Sequence, residues 1–589
     1  MGALAINLLG PPAVSAGGVR LTPPRGRKAW ALLAYLVTER RPVPRERLAG
    51  LLFEDAADPL GALRWNLSEL RRLLGASASL GGASVALVLP PRAFVDVHAV
   101  LSGGWEEAAA APGLGRELLE GMAFPSSPSF ETWLTNERRH LEAACQAVLA
   151  EAAEASLAAG AHGAAADHAA RLVAIDPFDE RGQELLIRAY AAGGDARSAV
   201  RQLESCRQLL RRELGRDPSP ALAAAASAGP ARPAPAAPAD GVSTVSARSA
   251  ALAQLEAGEA AMRAGAIDSG IDSLERAVAG GAACGDAALE AHATLALASA
   301  RFDAARSSEA EVATGLHRAL ALAERSGEAA VAGRARLLLA YVEELAGRYD
   351  RAERWLRTAA VRGDWRLEAE VALALGRCAV DRGDHDVAVR SLRRVAVAAR
   401  EGGYGDVEAW ARNQLGRAAL QRGAVDEAAA ELRAAAGRAH SLGLTSWLPM
   451  PLGLLGRALV ERGDLAGARA ALERGLALGT HVGDPCCQAL NLTGLGLLAA
   501  AEGRPGAALD TLVAARRRSL ASPTTSAYML AWVTDALCGV AVDSGRREAL
   551  RWIAGLEALA ARTGMRDLLA RAAAHRRALA AARPLPAAA

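Results

Sequence analysis

The sequence predicts a mainly α-helical fold, with a small α/β segment at the N-terminus followed by all-α hairpins that stack into a superhelix. Three observations support this prediction. The composition is 51% hydrophobic and only 4% aromatic, and it is rich in alanine, leucine and arginine, which favour helices. Short apolar runs near the N-terminus are separated by proline and glycine, as in small sheets. From about residue 250 the sequence repeats itself every 40 residues.

The first 97 residues predict a winged helix-turn-helix, because strands, three helices and a hairpin follow one another in that order. Apolar runs between turn-forming residues indicate strands, and apolar residues three or four positions apart indicate helices. The predicted strands cover residues 4–9, 19–22 and 94–97, the helices 26–40, 44–53 and 59–74, and the hairpin 80–89 with its turn at Gly81-Gly82.

The third of these helices has two distinct faces. Leucines at helical spacing form one apolar stripe, and a second stripe carries basic and polar groups. The apolar stripe consists of Leu63, Leu67, Leu70 and Leu74, and the polar one of Arg64, Ser68 and Arg71, widened by Arg72 and bordered by Trp65. A helix that packs on a small core through leucines and presents arginines outward is suited to a DNA major groove, where arginine reads guanine edges.

The distribution of charge also favours a local contact with a polyanion. The whole chain carries a net charge of only +3, but residues 1–96 hold twelve Arg or Lys and seven Asp or Glu. A basic first domain on a near-neutral body fits contact with nucleic acid at one end only. Basic residues at helix starts and beside the hairpin are predicted phosphate contacts: Arg25, Arg27, Lys28 and Arg92.

Residues 98–222 are predicted to be helical throughout, with helix-turn-helix units like those of tetratricopeptide repeats. The helices are expected over residues 133–159, 164–175, 180–192 and 196–214. Residues 223–249, which are rich in alanine, proline, serine and glycine, are predicted to form a flexible or extended linker.

The repeat array is expected over residues 250–589 in units of about 40 residues. Four positions keep one register over four copies, and they predict a helix with a small residue, a glycine turn and a second helix. The four sets are Gly376, Gly416, Gly456 and Gly496; Gly383, Gly423, Gly463 and Gly503; Ala388, Ala428, Ala468 and Ala508; and Leu392, Leu432, Leu472 and Leu512. Looser copies lie around Gly265, Gly347 and Gly545. Stacked hairpins of this kind share one core and form a concave surface.

The sequence argues against an enzyme, a cofactor or a metal site. Lys28 is the one lysine and lies in no Gly-Lys-Ser/Thr step, which excludes a P-loop. The glycines of residues 494–499 match a dinucleotide fingerprint only formally, because Gly496 belongs to the repeat register. The seven cysteines form no Cys-x-x-Cys pair, so free thiols in a reducing cytosol are expected. With no signal peptide and no long apolar run, we expect a cytoplasmic protein that does not enter a membrane.

Several motifs in the first 220 residues resemble those of the actinomycete antibiotic regulatory protein (SARP) family. In the N-terminal part these are residues 8–10, 27–36, 45–48 and 63–72, and in the part that follows they are residues 130–134, Arg138, residues 176–180 and residues 212–220. The first group resembles the family's OmpR-type winged helix, and the second resembles its partner, the bacterial transcriptional activator domain.

The resemblance implies a bacterial transcription factor that acts as an activator. It implies that residues 1–97 bind double-stranded DNA, with residues 59–74 as recognition helix and the Gly81-Gly82 hairpin as a wing in the minor groove. It also implies that residues 98–222 pack on the winged helix, pair protomers on direct repeats in a promoter and contact RNA polymerase. The array resembles sensor superhelices that bind a protein, a peptide or a small effector.

An alternative remains open at the level of the sequence. Glu69 stands where relatives often carry a basic residue, and the basic excess of the first domain is modest. A protein-interaction scaffold whose winged helix no longer binds DNA would share both features. The family's nucleotide-binding ATPase module is also missing, in agreement with the lysine argument.

Overall fold

The computed structural model describes residues 4–75, 78–82, 84–228, 241–263, 266–304, 307–521 and 526–581. Its chain forms two compact units. One comprises Met1–Ala153 with Asp167–Gly182, and the other comprises Glu154–Ala166 with Gln183–Ala589.

Seven short strands in the first unit form two sheets. The strands are β1 (Leu4–Asn7), β2 (Ala13–Ala16), β3 (Val19–Arg20), β4 (Val43–Pro44), β5 (Ser79–Gly81), β6 (Ser84–Val88) and β7 (Phe94–Val95). The first sheet has the order β3-β2-β1-β7, in which β1 runs antiparallel to β2 and parallel to β7. The second has the order β4-β6-β5, with antiparallel neighbours.

Five helices complete the part of the first unit that carries the sheets. They are α1 (Arg27–Glu39), α2 (Arg45–Leu52), α3 (Pro59–Leu74), α4 (Asp96–Ser102) and α5 (Trp105–Ala109). The strand, three-helix and hairpin order confirms the predicted winged helix. Helix α3 begins where Asp58 accepts a hydrogen bond from the backbone N–H of Gly61 and Pro59 fixes the first turn. Its leucine stripe is buried in the common core, as predicted.

Two strands of this unit were absent from the sequence prediction. β2 follows Pro11 and Pro12, which indicate a break, and it consists mostly of small residues without a strong strand preference. β4 has only two residues and ends in Pro44, so no alternation marks it. Tertiary pairing with β1 and β6 forms both strands.

The prediction that residues 98–222 are helical throughout was wrong between residues 110 and 127. Helices follow as α6 (Pro128–Ala158), α7 (His162–Ile175), α8 (Glu180–Ala192), α9 (Ala196–Leu214) and α10 (Pro220–Ser227). The segment from 110 to 127 contains Pro112, Pro125 and three glycines, and Leu119 has a positive φ of 51°. Proline and positive φ both interrupt a helix.

The predicted linker over residues 223–249 is partly helical. α10 extends to Ser227, and α11 (Gly241–Arg263) begins before the predicted end of the linker. Alanine, which is the main component of the stretch, favours helix wherever proline is absent. Residues 229–240, with most of its prolines, lie outside the described residues.

Sixteen helices follow α11 and form the repeat array. They are α12 (Ile267–Ala283), α13 (Ala287–Asp303), α14 (Glu309–Ser326), α15 (Ala329–Leu345), α16 (Tyr349–Ala359), α17 (Trp365–Arg382), α18 (His385–Glu401), α19 (Gly405–Gln421), α20 (Val425–Ser441), α21 (Pro449–Arg462), α22 (Leu465–Val482), α23 (Pro485–Ala501), α24 (Pro505–Leu520), α25 (Ala527–Asp543), α26 (Ala549–Thr563) and α27 (Arg566–Ala581).

The 40-residue register has a direct packing explanation. In each of the four best copies, the helical glycine of the first helix lies against the leucine of the second. A Cβ atom on Gly456 would lie 2.3 Å from Cγ of Leu472, and one on Gly376 would lie 2.5 Å from Cδ2 of Leu392. The glycine of each intervening turn has a positive φ, for example 85° at Gly463. The repeats are therefore helical hairpins, as predicted, while Gly265 lies outside the described residues.

Helices from the middle and from the C-terminal end of the array also contact each other. In the last helix, α27, Oδ2 of Asp567 lies 2.5 Å from Nε2 of His385. Arg566 of the same helix forms an ion pair with Asp384 at 2.7 Å. The amide of Gln421 donates to the hydroxyl of Tyr528 over 2.9 Å. These contacts join residues more than 100 positions apart, so the array closes on itself through α18, α19, α25 and α27.

The described ranges lack both membrane-spanning helices and clusters of metal-binding side chains. None of the helices there is both long and apolar enough to cross a membrane. No group of three or more His, Cys, Asp or Glu side chains in the same ranges is arranged to hold a metal ion.

Candidate nucleic-acid interface

The outer face of α3 presents the residues that the sequence singled out. Arg64, Trp65, Ser68, Arg71 and Arg72 are all exposed. Trp65 is 50% exposed, which is unusual for so large an apolar side chain. The leucine stripe lies on the opposite side and is buried. The helix therefore combines a fixed inner face with a polar, partly aromatic outer face.

Arg64 lies on the open part of this face. Its NH2 group is 3.3 Å from Oδ2 of Asp58, and both side chains are 66% exposed. An exposed ion pair of this kind contributes little to stability and exchanges readily for a stronger anion. The guanidinium of Arg64 is thus available to an incoming phosphate or base edge.

Arg71 is committed in part to the hairpin of β5 and β6. Its Nε donates to the carbonyl oxygen of Leu80 over 2.9 Å. From α2, Arg45 donates to the carbonyl oxygen of Gly82 over 3.0 Å. Two arginines from two helices therefore hold the hairpin in place. The sequence analysis placed Arg71 on the groove-facing stripe and missed this second role, because nothing in the spacing connects residue 71 to residue 80.

Glu69 faces the protein rather than the solvent in front of α3. Its Oε2 accepts hydrogen bonds from the backbone N–H of Arg25 over 2.8 Å and from NH2 of Arg72 over 2.9 Å. These bonds lower the pKa of Glu69, the bond from Arg72 most strongly. Arg72 also donates to the carbonyl oxygen of Pro23. Glu69 and Arg72 together fasten the segment before α1 to α3.

The four predicted phosphate contacts fall into two groups. Arg25 and Arg27 flank Gly26, where a Cβ atom would lie 3.7 Å from the ring of Trp65, so both arginines border α3. Lys28 is engaged by Asp55, whose Oδ1 is 2.9 Å from Nζ, and it lies 5.3 Å from the centre of the Phe53 ring.

The hydrogen bond from Lys28 is the main cause of the lowered pKa of Asp55. Arg92 is exposed in the turn between β6 and β7. Within the described ranges, no hydrogen bond or ion pair joins Arg92 to α3. The structure thus gathers Arg25, Arg27 and the residues of α3 along one edge, while Arg92 lies in a separate turn without a direct bond to that helix.

Asp96 connects the first sheet to the helices that follow. It is fully buried and accepts hydrogen bonds from the backbone N–H groups of Leu8 and Leu9 over 2.7 and 2.8 Å. Burial raises the pKa of Asp96 to about 6. The hydrogen bonds favour the charged form and lower the pKa, but the effect of burial is larger. The sequence prediction treated Asp96 as a strand residue and missed this anchor, since a single aspartate gives no signal of its partners.

Contacts beyond Asp96 continue this attachment within the first unit. The hydroxyl of Ser127 is buried and donates to the carbonyl oxygen of Leu52 over 2.7 Å. The rings of Tyr35 and Trp133 are 5.0 Å apart. The start of α6 is therefore packed on α1 and α2, and the winged helix has a continuous core with the helix that follows it.

Comparison with known proteins was made for the sequence and for the fold. Residues 96–228 match the family model of the bacterial transcriptional activator domain. The chain is 27% identical over 234 residues to the regulatory protein AfsR of Streptomyces griseus, a match that covers 38% of this chain and 24% of the relative. The chain thus spans about a quarter of the length of that curated relative.

Solved structures were also compared. EmbR of Mycobacterium tuberculosis, in complex with a low-affinity phosphopeptide, is 25% identical, with 38% of this chain and 65% of that chain covered and a TM-score of 0.31. Aspartyl phosphate phosphatase F of Bacillus subtilis is 10% identical, with 70% and 92% covered and a TM-score of 0.38.

These findings identify the class of protein. A winged helix is followed directly by a bacterial transcriptional activator domain, as the motifs between residues 8 and 220 predicted. The chain thus carries a bacterial transcriptional activator domain together with C-terminal helical repeats, and over its matched residues it is similar to a SARP-type regulator.

Proposed function

We propose that this protein is a sequence-specific DNA-binding transcriptional activator whose repeat array senses an effector or a partner. One observation carries the proposal: the exposed face of α3, with Arg64, Trp65 and Ser68 over a buried leucine stripe, lies beside a hairpin that Arg71 holds. A rigid helix with an arginine-bearing outer face is suited to the major groove, and the adjacent hairpin to a neighbouring groove.

The residues of the face have different roles in this proposal. Arg64 reads a base edge or a nearby phosphate, and Ser68 accepts or donates beside it. Arg71 contacts DNA close to the hairpin, where its position is fixed by the carbonyl oxygen of Leu80. Phosphates bind along the flank, to which Trp65 adds apolar contact area; the flank comprises Arg25, Arg27, Lys28, Arg72 and, from the turn after β6, Arg92.

The proposal includes partners beyond a single DNA site. The activator domain supports contacts with RNA polymerase and the pairing of two copies on direct repeats in a promoter, as the family resemblance implies. The concave surface of the repeat array supports binding of a protein, a peptide or a small molecule.

A DNA-free scaffold is the second candidate. It is favoured by the observation that acidic side chains engage Lys28, Arg64 and Arg72, which lowers the positive field over the face. The two candidates differ in whether any duplex is preferred over others.

Selection of duplexes from a random pool by the full-length chain tests the proposal. We expect one motif to be enriched, and we expect Arg64→Ala to reduce affinity for it by about ten- to a hundredfold at fixed salt. Arg433→Ala serves as a matched control, because Arg433 is an exposed arginine on α20 of the array. Full affinity in the Arg64 variant would contradict the assignment of α3. Failure to enrich any motif would favour the scaffold.

A further inference from the structure

The repeat array contains a partly open cavity of about 490 Å³. It is lined mainly by alternate helices, from α13 to α25, and includes Tyr341, Arg377, Trp410, Asn413, Tyr528 and Met529. The contacts between α19 and α25 bring its two sides together. A volume of this size suits a small molecule rather than a folded partner.

One face of α19 supplies the polar groups of the cavity. Trp410, Asn413 and Arg417 are separated by three and four positions and so lie on one side of the helix. Asn413 is fully buried, yet neither atom of its side-chain amide has a hydrogen-bond partner among the residues that the structure describes. In the same part of the chain, Oε1 of Gln414 is also buried without a partner. Buried polar groups are nearly always paired, so these atoms call for a ligand or water.

Four charged groups of the cavity form two ion pairs. Arg377 donates to both carboxylate oxygens of Glu344, over 2.8 Å from Nε and 2.6 Å from Nη2. Arg417 pairs with Asp381 at 2.5 Å. Asp303 and Asp484 also line the cavity, and burial raises the pKa of Asp303. Among the described residues, Nε of Arg417 is buried without a hydrogen-bond partner, and the neutral groups in that position are the amides of Asn413 and Gln414.

Aromatic rings and methionines form the remaining walls. The ring of Tyr341 lies 5.5 Å from that of Phe302, and the ring of Trp410 lies 4.5 Å from that of Trp447. Met450 and Met529 add flexible apolar surface. Aromatic walls with one polar side favour a planar ligand that carries its hydrogen-bonding groups on one edge.

We propose that this cavity binds a small, neutral, planar ligand with a lactam-type edge, in which a carbonyl oxygen and an N–H lie on the same side. The side-chain amide of Asn413 has a donor N–H and an acceptor oxygen side by side. A lactam edge can therefore form two hydrogen bonds with it. A trans peptide unit has its N–H and C=O on opposite sides and makes only one of these bonds. The inference rests on the proposed sensing role of the array and gives it a site and a ligand class.

Ligand-detected NMR on the full-length chain, without DNA, tests this inference with 2-quinolone as probe. We expect saturable binding with a dissociation constant on the order of 1 mM, typical of a ligand of this size. N-methyl-2-quinolone has the same shape without the donor, and we expect its affinity to be at least about tenfold lower. Asn413→Leu removes both amide atoms and should weaken 2-quinolone to a similar extent. Asn136→Leu, on α6, makes the same substitution outside the array and should leave binding unchanged.

The two probes keep the test decisive even where the Asn413 variant does not fold. Equal affinity for 2-quinolone and its N-methyl analogue, or no saturable binding of either, would overturn the proposal. Preferential binding of N-acetyl-phenylalanine N-methylamide, which carries only trans amides, would overturn it in favour of an extended peptide. Because no DNA is present, these outcomes are independent of the duplex selection, which can fail or succeed on its own.

Discussion

The role of a charged residue on a DNA-facing helix depends on what its side chain touches. Glu69 lies among the arginines of α3, and its position alone indicates a group that opposes or restricts DNA binding. In the structure its carboxylate binds the backbone N–H of Arg25 and the guanidinium of Arg72, and its side chain is only 13% exposed. The negative charge of Glu69 thus stabilises the protein's own N-terminal segment. Glu69 is therefore a weaker argument against DNA binding than its position suggests.

Replacing a closely packed helical glycine of the array by alanine is expected to destabilise the protein. Gly456→Ala would place Cβ 2.3 Å from Leu472, so we expect the free energy of unfolding to fall by about 1–3 kcal/mol. Gly437 is a helical glycine of α20 with no atom within 4 Å of a built Cβ. Gly437→Ala should therefore raise stability by about 0.4–1 kcal/mol. Urea unfolding measures both, and equal effects would contradict the packing explanation.

Asp96 is expected to make stability depend on pH. Its folded-state pKa of about 6 exceeds the ordinary value of 3.8, so the folded chain binds this proton more tightly than the unfolded chain. The contribution of protonated Asp96 to the free energy of unfolding is therefore complete below about pH 4 and is lost as the pH rises through 6. The difference in unfolding free energy between wild type and Asp96→Asn should fall by on the order of 2–3 kcal/mol over that interval. Urea unfolding at several pH values measures this difference. If the difference between wild type and Asp96→Asn stays constant from pH 4 to pH 7, the assignment is wrong.

At the scale of elements, the hairpin of β5 and β6 is held to the helices by two arginines. Arg71→Leu removes the bond to the carbonyl oxygen of Leu80 and should increase the hydrogen-exchange rate of the hairpin amides several-fold. Arg64→Leu alters the same face of α3 without touching the hairpin and serves as the control. Unchanged exchange of the hairpin amides in the Arg71 variant would mean that Arg45 alone holds the hairpin in place.

The elements differ in how far the sequence could predict them. The bounds of α3, residues 59–74, agree with the prediction because Asp58 and Pro59 mark its start and the leucine stripe marks its length. The strand β2 and the irregular segment from 110 to 127 depend on tertiary pairing, on proline and on a positive φ at Leu119. Local periodicity contains none of this information.

The candidate sites differ in the same way. The outer face of α3 follows from spacing within one helix, so the exposure of its five residues could be predicted, and their contact with DNA stays a prediction. The partners of Arg71 and Glu69 lie on other elements and were not predictable from spacing. In the described residues, the cavity of the array draws on nine helices between residues 267 and 543, and Asn413 looks like any other helical residue in the sequence.

At the scale of the whole molecule, the contacts between α18 and α27 should couple distant repeats. We expect the double variant Arg566→Ala, Asp567→Ala to raise the hydrogen-exchange rate of α18 roughly fivefold, because two exposed ion pairs are lost. Arg576→Ala removes an ion pair with Glu557 that stays within the last hairpin, and it should leave α18 unchanged. An equal response of α18 to both variants would argue against the coupling.

The closed array also restricts how such a protein can evolve. In an open solenoid, duplication of one hairpin lengthens the stack and leaves all other neighbours in place. Here, a further 40-residue copy between α18 and α27 would carry Asp567 away from His385 and remove Tyr528 from Gln421. The number of hairpins within the closed segment is therefore fixed by geometry, and descendants of this protein should gain or lose copies only before α18 or beyond α27.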